Sequence, residues 1–516
     1  MISLRLTTEK LRLGIQFIIP AYLVYVLSVV IYNRYFHPLR HFPGPFWASI
    51  TSLWLFKTYR LGKANDIHHE LHEKYGDFVR IGPNHLAVGN PAAIETVFGT
   101  KNGRTWRKGG LYEGFNMHIP NARTDNFSER DETKAAERRR LVGAMYSQSN
   151  VLKYEPCIDR LIGLFRQQMK NLSESGESMD MSVWLERYTF DVMGEIFHGR
   201  EGGFGMVRDG KDYNRWCYLM SVMPDVGASI TYMPRGFQSL YLLSQLAFQH
   251  TRDGIVGMLD TVTQAKKAAS ERWKLMQEGG DYPKTDMLSG LLEMVREKGE
   301  NIKWNFSDVV VEVWSVIWAG SDTTATALTA IFYHLHKHPT KLAKLRQEID
   351  TAFEQGRLEN PVRFSAARKL PYLHAVVMES MRIHPSTGAG FPREVPSGGV
   401  QLCGTFVPGD VEVLMTAAAV QVDKRAFGED AHEWIPERWL QDAETVRQME
   451  KSMLQFGHGP RMCLGRTVSE TEMYKLLPTI LREFNFEMLV DRWEVHKGWF
   501  NRSKNVTCQV RPRNLE

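Results

Sequence analysis

Residues 456–465 read Phe-Gly-His-Gly-Pro-Arg-Met-Cys-Leu-Gly and set one thiol in a glycine-rich turn directly ahead of a helical pattern. Behind the turn, Val468, Met473, Leu476, Leu477 and Ile480 recur at helical rather than strand spacing. Cys463 therefore falls at a helix N-terminus, where free backbone N–H groups and the positive end of the dipole favour a thiolate. Gly459 and Gly465 allow tight bending and close approach of a flat ligand. A lone cysteine is ordinarily a small buried hydrophobe, but a thiolate in this setting can hold iron. The five cysteines form no Cys-x-x-Cys pair and are odd in number, which fits a reduced compartment rather than a disulfide framework.

Phe456, Gly459, Arg461, Cys463 and Gly465 together spell Phe-x-x-Gly-x-Arg-x-Cys-x-Gly. In this the chain resembles the cytochrome P450 family, whose signature cysteine is the axial iron ligand of a haem. The resemblance implies haem b bound through the Cys463 thiolate, with Phe456 and Gly465 beside it. It also implies a haem propionate on Arg461, whose donor fork suits carboxylates.

A second pattern spans residues 305–338, with Asn305 or Ser307 as N-cap and His338-Pro339 as terminator. At about 1.5 Å per residue such a helix is roughly 50 Å long, enough to cross a domain of this size. Its apolar run is interrupted by Ala319-Gly320-Ser321-Asp322-Thr323-Thr324. One reading of that cluster is a hydrophilic face bonded back to its own carbonyls. The other is the family's oxygen-binding motif, which it resembles without departure. That resemblance implies that Gly320 lies close to the planar cofactor. It also implies that Asp322 supplies protons and that the Thr323 hydroxyl donates toward the distal oxygen of dioxygen.

Further matches follow in order. Glu379-Ser380-Met381-Arg382 resembles the family's Glu-x-x-Arg helix, with Arg438 as third member of a structural triad, and Arg393 matches a propionate ligand. Arg139 matches another, although Ala135 stands where Trp or His is usual. The neighbouring Arg138 is a candidate for a basic face that receives a reductase. Gln421-Val422-Asp423 replaces the more usual His-Arg-Asp without consequence for catalysis. By family position, residues 387–391 and 498–500 line the pocket, and 213–250, rich in Tyr, Met, Phe and Leu, resembles a helix pair above it.

Residues 13–32 carry no formal charge and are long enough to cross a bilayer core. They read as an uncleaved anchor between a tail at 1–12 and a stiff, extended Pro-rich linker at 33–47. The catalytic domain is expected over 48–516, with an early hairpin around Gly82-Pro83 and mostly helices after it. Flanking charges do not settle orientation. The resemblance implies an endoplasmic reticulum membrane and a cytosolic domain, where the four Asn-x-Ser/Thr sites at Asn126, Asn171, Asn305 and Asn505 stay unused. A net charge of +5 leaves no nucleic-acid footprint.

The expected fold is mainly α with a minor β region, a cytochrome P450 fold behind one transmembrane helix. The resemblance covers about residues 42–510, and its later half is similar to fungal secondary-metabolism members of the pisatin-demethylase type. It implies a monooxygenase acting on a small apolar molecule, with membrane lipid around its anchor. Electrons would come from NADPH through a separate cytochrome P450 reductase, with cytochrome b5 as a further partner, since no Gly-x-Gly-x-x-Gly after a strand occurs here. The alternatives are a haem-thiolate isomerase or dehydratase that needs no dioxygen, or a non-catalytic haem-binding protein.

Overall fold

The computed structural model describes residues 2–100, 105–234, 236–283 and 285–514. Met1 of the expected tail and the last two residues of the expected 48–516 domain lie outside the described residues. The long helix forms as Phe306–Lys337. Its start is fixed reciprocally: the Asn305 side chain accepts from the Asp308 N–H while the Asp308 carboxylate accepts from the Asn305 N–H. It packs against the helices Met181–His198, Gln249–Gln277 and Pro371–Ile383, and so runs through the middle of the molecule. The main core joins its Val309, Val313, Leu328 and Ile331 to Leu476, Leu477 and Ile480 of the helix Arg466–Glu483. Full burial stabilises each such side chain by about 1.5–3 kcal/mol.

The expected hairpin forms between Phe78–Gly82 and His85–Val88. His85–Val88 runs parallel to Glu412–Met415, which pairs antiparallel with Phe391–Glu394 and completes a four-stranded sheet. A second sheet orders Ser178–Asp180, Thr507–Pro512 and Phe484–Met488, the last continuing directly from the helix behind Cys463. The hairpin Glu494–Lys497/Asn501–Lys504 is held to the 386–389 segment, because the Trp499 carbonyl accepts from the N–H groups of Gly388 and Ala389.

Three expectations about organisation change. The anchor and most of its tail form one helix, Ile2–Ile31, and residues Gln16–Phe36 are apolar and long enough to cross a membrane. The linker is not extended: Tyr32–Phe36 and Pro38–His41 are helical turns, the second begun by Pro38. Leu39 is fully buried there, and the Asn33 carbonyl accepts from buried Arg80 at 2.8 Å. Nor is 213–250 a helix pair. Asn214 and Arg215 take left-handed φ and Pro224 starts a new helix, so the stretch breaks into Trp216–Met220, Met223–Thr231 and Gln238–Gln245.

The Glu-x-x-Arg helix, Pro371–Ile383, carries a saturated buried carboxylate. Glu379 accepts from Arg382 Nε and Nη2 at 2.8 Å each, Arg438 Nε at 3.0 Å, Trp439 Nε1 at 2.9 Å and the Ile435 N–H at 2.8 Å. Arg382 spends its other donors on the carbonyls of Gln421, Ala431 and Glu433. Gln421 does structural work that the sequence reading passed over. Its amide donates to the Met381 and Arg382 carbonyls, and its Oε1 accepts from the Leu454 N–H at 2.8 Å.

Removing one partner of a buried ion pair leaves the other charge uncompensated. Arg382→Ala should therefore lower unfolding stability by about 3–5 kcal/mol in denaturant titration, and a loss under about 1 kcal/mol would contradict the triad's role. Deletion of residues 2–31, which takes away most of the apolar Gln16–Phe36 stretch, should leave the unfolding midpoint unchanged. Deletion through residue 44 also removes Leu39 and the Asn33 and Pro43 carbonyls that serve Arg80. That second deletion should cost about 2–4 kcal/mol, and equal midpoints would contradict the docked connector.

Candidate active site

The cysteine loop closes when the Cys463 N–H donates to the Phe456 carbonyl at 2.8 Å. Gly459 has a φ of 67°, and a Cβ there would lie 2.1 Å from the Phe98 carbonyl oxygen, so only glycine lets the loop pass. At Gly465 an added Cβ would meet only Cys463 Sγ, at 3.9 Å, so this glycine keeps the space beside the sulfur open. Cys463 is accessible yet enclosed by protein, and burial pushes its thiol up. The N–H groups of Gly465 and Arg466 and the Arg139 guanidinium pull the other way without prevailing. The helix-start argument for a ready thiolate is thus outweighed by desolvation, and an added cation would be needed to hold the anion.

Arg139 Nη1 donates to the Met462 carbonyl, 2.8 Å away and next to Cys463. Ala135, where an aromatic was expected, is fully buried. Arg138 cannot dock a partner: it is 1% exposed, 2.5 Å from Glu312, and stacked on Trp304. Glu312 also accepts from Tyr146 at 2.7 Å, so this arginine ties the 132–142 helix to the central helix.

Arg393 donates to the Tyr112 hydroxyl and the Pro392 carbonyl, and Arg461 to the Asn126 and Glu129 carbonyls and Glu132. Both are buried, and among the described residues the Nε of each has no partner. Lys108 lies among them, 4% exposed, with its Nζ on the Phe127 carbonyl and 4.4 Å from the Tyr112 ring centroid. Burial first, then Arg461 and Arg393, hold its ammonium far below the usual lysine range. Among the described residues, Lys108, Arg139 and Arg393 form no ion pair with a carboxylate. Burying an unpaired cation costs several kcal/mol, so buried Lys108 and Arg393, with half-buried Arg139, fit an anion from outside, such as two carboxylates on one flat ring. Lys108 and Tyr112 lie in an aperiodic stretch, and Trp106-Arg107-Lys108, a cation flanked by an aromatic, was the one available signal.

On the central helix, Ala319 is exposed and Thr323, one turn on, is half-buried, while Ser321, Asp322 and Thr324 are buried. The Thr324 hydroxyl donates to Ser469 Oγ at 3.0 Å, so this stretch adjoins the helix that follows Cys463. Two expectations are corrected here. A Cβ on Gly320 would meet Met193 Sδ at 2.4 Å, so this glycine serves the close crossing with the Met181–His198 helix, and Ala319 borders the open space. The Thr323 hydroxyl donates to its own helix's Ala319 carbonyl at 2.8 Å, so its oxygen faces outward as an acceptor rather than a donor. Asp322 is buried, with Oδ1 3.2 Å from Arg502 Nε.

The two segments expected to line the pocket meet where Thr387 bridges Phe500. Aromatic rings that sequence reasoning missed join them: Phe115 lies 4.6 Å and Phe127 6.0 Å from the Trp499 ring. Phe500 packs against the hydrophobic cluster that contains Ile317 of the central helix.

These features sit within a chain whose residues 42–506 match the family profile described as Cytochrome P450. A cytochrome P450 monooxygenase of Penicillium aethiopicum is 34% identical over 97% of this chain and 100% of its own length. One of Aspergillus terreus is 35% identical over 92% of this chain and 94% of its own. Pisatin demethylase of Fusarium vanettenii is 30% identical over 98% and 97%. The chain belongs to the cytochrome P450 family, which holds haem through a cysteine thiolate, and is a monooxygenase that incorporates molecular oxygen.

Proposed function

We propose that this chain is a membrane-anchored haem-thiolate enzyme of fungal secondary metabolism that oxidises an apolar small molecule, with Cys463 as the iron ligand. The observation that carries this reading is the set of buried Lys108 and Arg393 with half-buried Arg139, none of them paired with a carboxylate among the described residues, together with a thiol left open beside Gly465. Arg139, Arg393, Arg461, Lys108 and Tyr112 would hold the propionates of haem b, and Phe456 would fix the backbone of the ligand. Haem bound there supplies reductive activation of dioxygen, which an electron-rich thiolate favours.

Asp322 serves as the proton source, and Thr323 accepts and orients the hydrogen bond through which the proton passes. Trp499, Phe500 and Phe115 exclude water and favour an apolar substrate. NADPH–cytochrome P450 reductase supplies electrons, with cytochrome b5 as a second donor, since the chain has no dinucleotide-binding signature of its own. The apolar Gln16–Phe36 stretch supports a single-pass anchor, which we assign to the endoplasmic reticulum with the catalytic domain cytosolic.

Thr323→Ala should keep fold and haem and continue to consume NADPH, with product per NADPH falling about tenfold. Thr323→Ser should retain most of the yield because it keeps the outward-facing oxygen. Equal product per NADPH in the alanine variant and the wild type would overturn the proton role of Thr323.

A further inference from the structure

Asp322 does not reach outward alone. Its Oδ1 lies 3.2 Å from Arg502 Nε, and its Oδ2 is buried without a partner among the described residues. Arg502 stands on the strand Asn501–Lys504, and its Nη2 donates to Glu186 Oε1 at 2.6 Å and to the Cys217 carbonyl at 3.3 Å. Glu186, on the helix Met181–His198, is itself buried. Two carboxylates from two helices therefore share one guanidinium away from bulk water. Both ionised would leave a net negative charge in a low-dielectric setting, whereas one shared proton makes the group neutral.

We propose that Glu186 and Asp322 share one proton across Arg502, and that Glu186 re-protonates Asp322 after each proton Asp322 gives up. In that step the Glu186 carboxyl becomes carboxylate as the Asp322 carboxylate becomes carboxyl. Arg502 stays cationic throughout and changes which carboxylate it neutralises. Solvent then returns a proton to Glu186. Arg502 is a positioning residue, and Glu186 acts only through Asp322. The inference rests on the reading of Asp322 as proton source.

The surroundings agree. Burial, with the charges of Asp322 and Asp212 against that of Arg502, pushes the Glu186 carboxyl up to about 8. Burial raises Asp322 as well, opposed by Arg502 and reinforced by Asp225. The other groups facing this site are Arg187 on Glu186's own helix, Cys217 on the 216–220 helix, and His496, which lies 2.5 Å from Asp225. Burial holds the Cys217 thiol well above its ordinary value, so Cys217 stays neutral, and Arg502 remains the central cation. Glu186 is thus protonated at neutral pH and ionises as pH rises through about 8.

The test uses the full-length holoenzyme and Glu186→Gln, which keeps the acceptor for Arg502 but cannot titrate. Infrared titration of the wild type should show a protonated-carboxyl band that disappears with a midpoint near 8 and is absent from the variant. Wild-type product per NADPH should fall through the same pH range. The variant should be about fivefold lower and flat with pH, with its carbon-monoxide spectrum unchanged. Persistence of the band, or a variant that keeps the wild-type pH limb at any yield, overturns the proposal. Asp322→Asn separates the two levels. If it loses product while Glu186→Gln behaves as wild type, the shared proton alone is wrong. If Asp322→Asn also behaves as wild type, the proton role of Asp322 falls with it.

Discussion

Glu379 is the interaction on which the placement of the cysteine loop depends. One fully buried carboxylate receives five hydrogen bonds, two from Arg382 and the rest from Ile435, Arg438 and Trp439. A charge so far from water is tolerated only when every lone pair is used and the counter-charge is fixed. That requirement draws the 431–439 segment onto the Pro371–Ile383 helix. Gln421 then carries the constraint to Leu454, two residues ahead of Phe456, whose carbonyl holds the Cys463 N–H.

The buried charges fall into three classes that explain their different uses. At Glu379 two arginines meet one carboxylate and a shell of carbonyls, which makes a rigid structural knot. Arg138, Glu312 and Tyr146 make a second closed set between two helices. At Lys108, Arg393 and half-buried Arg139 the positive charge meets no carboxylate among the described residues, and there Arg461 meets Glu132 alone. At Arg502 the imbalance has the opposite sign, with two carboxylates on one guanidinium. The closed sets hold the fold, while the unbalanced ones are where we propose that an outside anion or a mobile proton is accommodated.

Much of this was legible in the sequence because it rested on local patterns. The Asn305 cap, the long helix, the Gly82-Pro83 hairpin and the glycines around Cys463 each follow from residue spacing or backbone freedom. The misreadings came where three-dimensional neighbours decide. Gly320 was assigned to the cofactor side, but a shift of one residue turns a helix by about 100°, and that turn points it at Met193. Arg138 and Arg139 are adjacent in sequence and opposite in fate for the same reason. The Pro-rich connector looked extended because prolines break regular helices, yet prolines also start turns, and Arg80 supplies the partner that docks them. Lys108, Tyr112, Phe115, Phe127 and Arg502 carry no periodicity, so only tertiary packing brings them to the site.

The central claim is that the thiol of Cys463 is the iron ligand in a site whose cations await the acid groups of haem. The carbon-monoxide difference spectrum of the reduced full-length protein tests it most directly, in the wild type and in Cys463→His. The wild type should show the Soret band of thiolate-ligated haem, and the histidine variant should lose that band while the fold, held by Glu379, persists. Survival of the thiolate-type band without Cys463 would contradict the assignment.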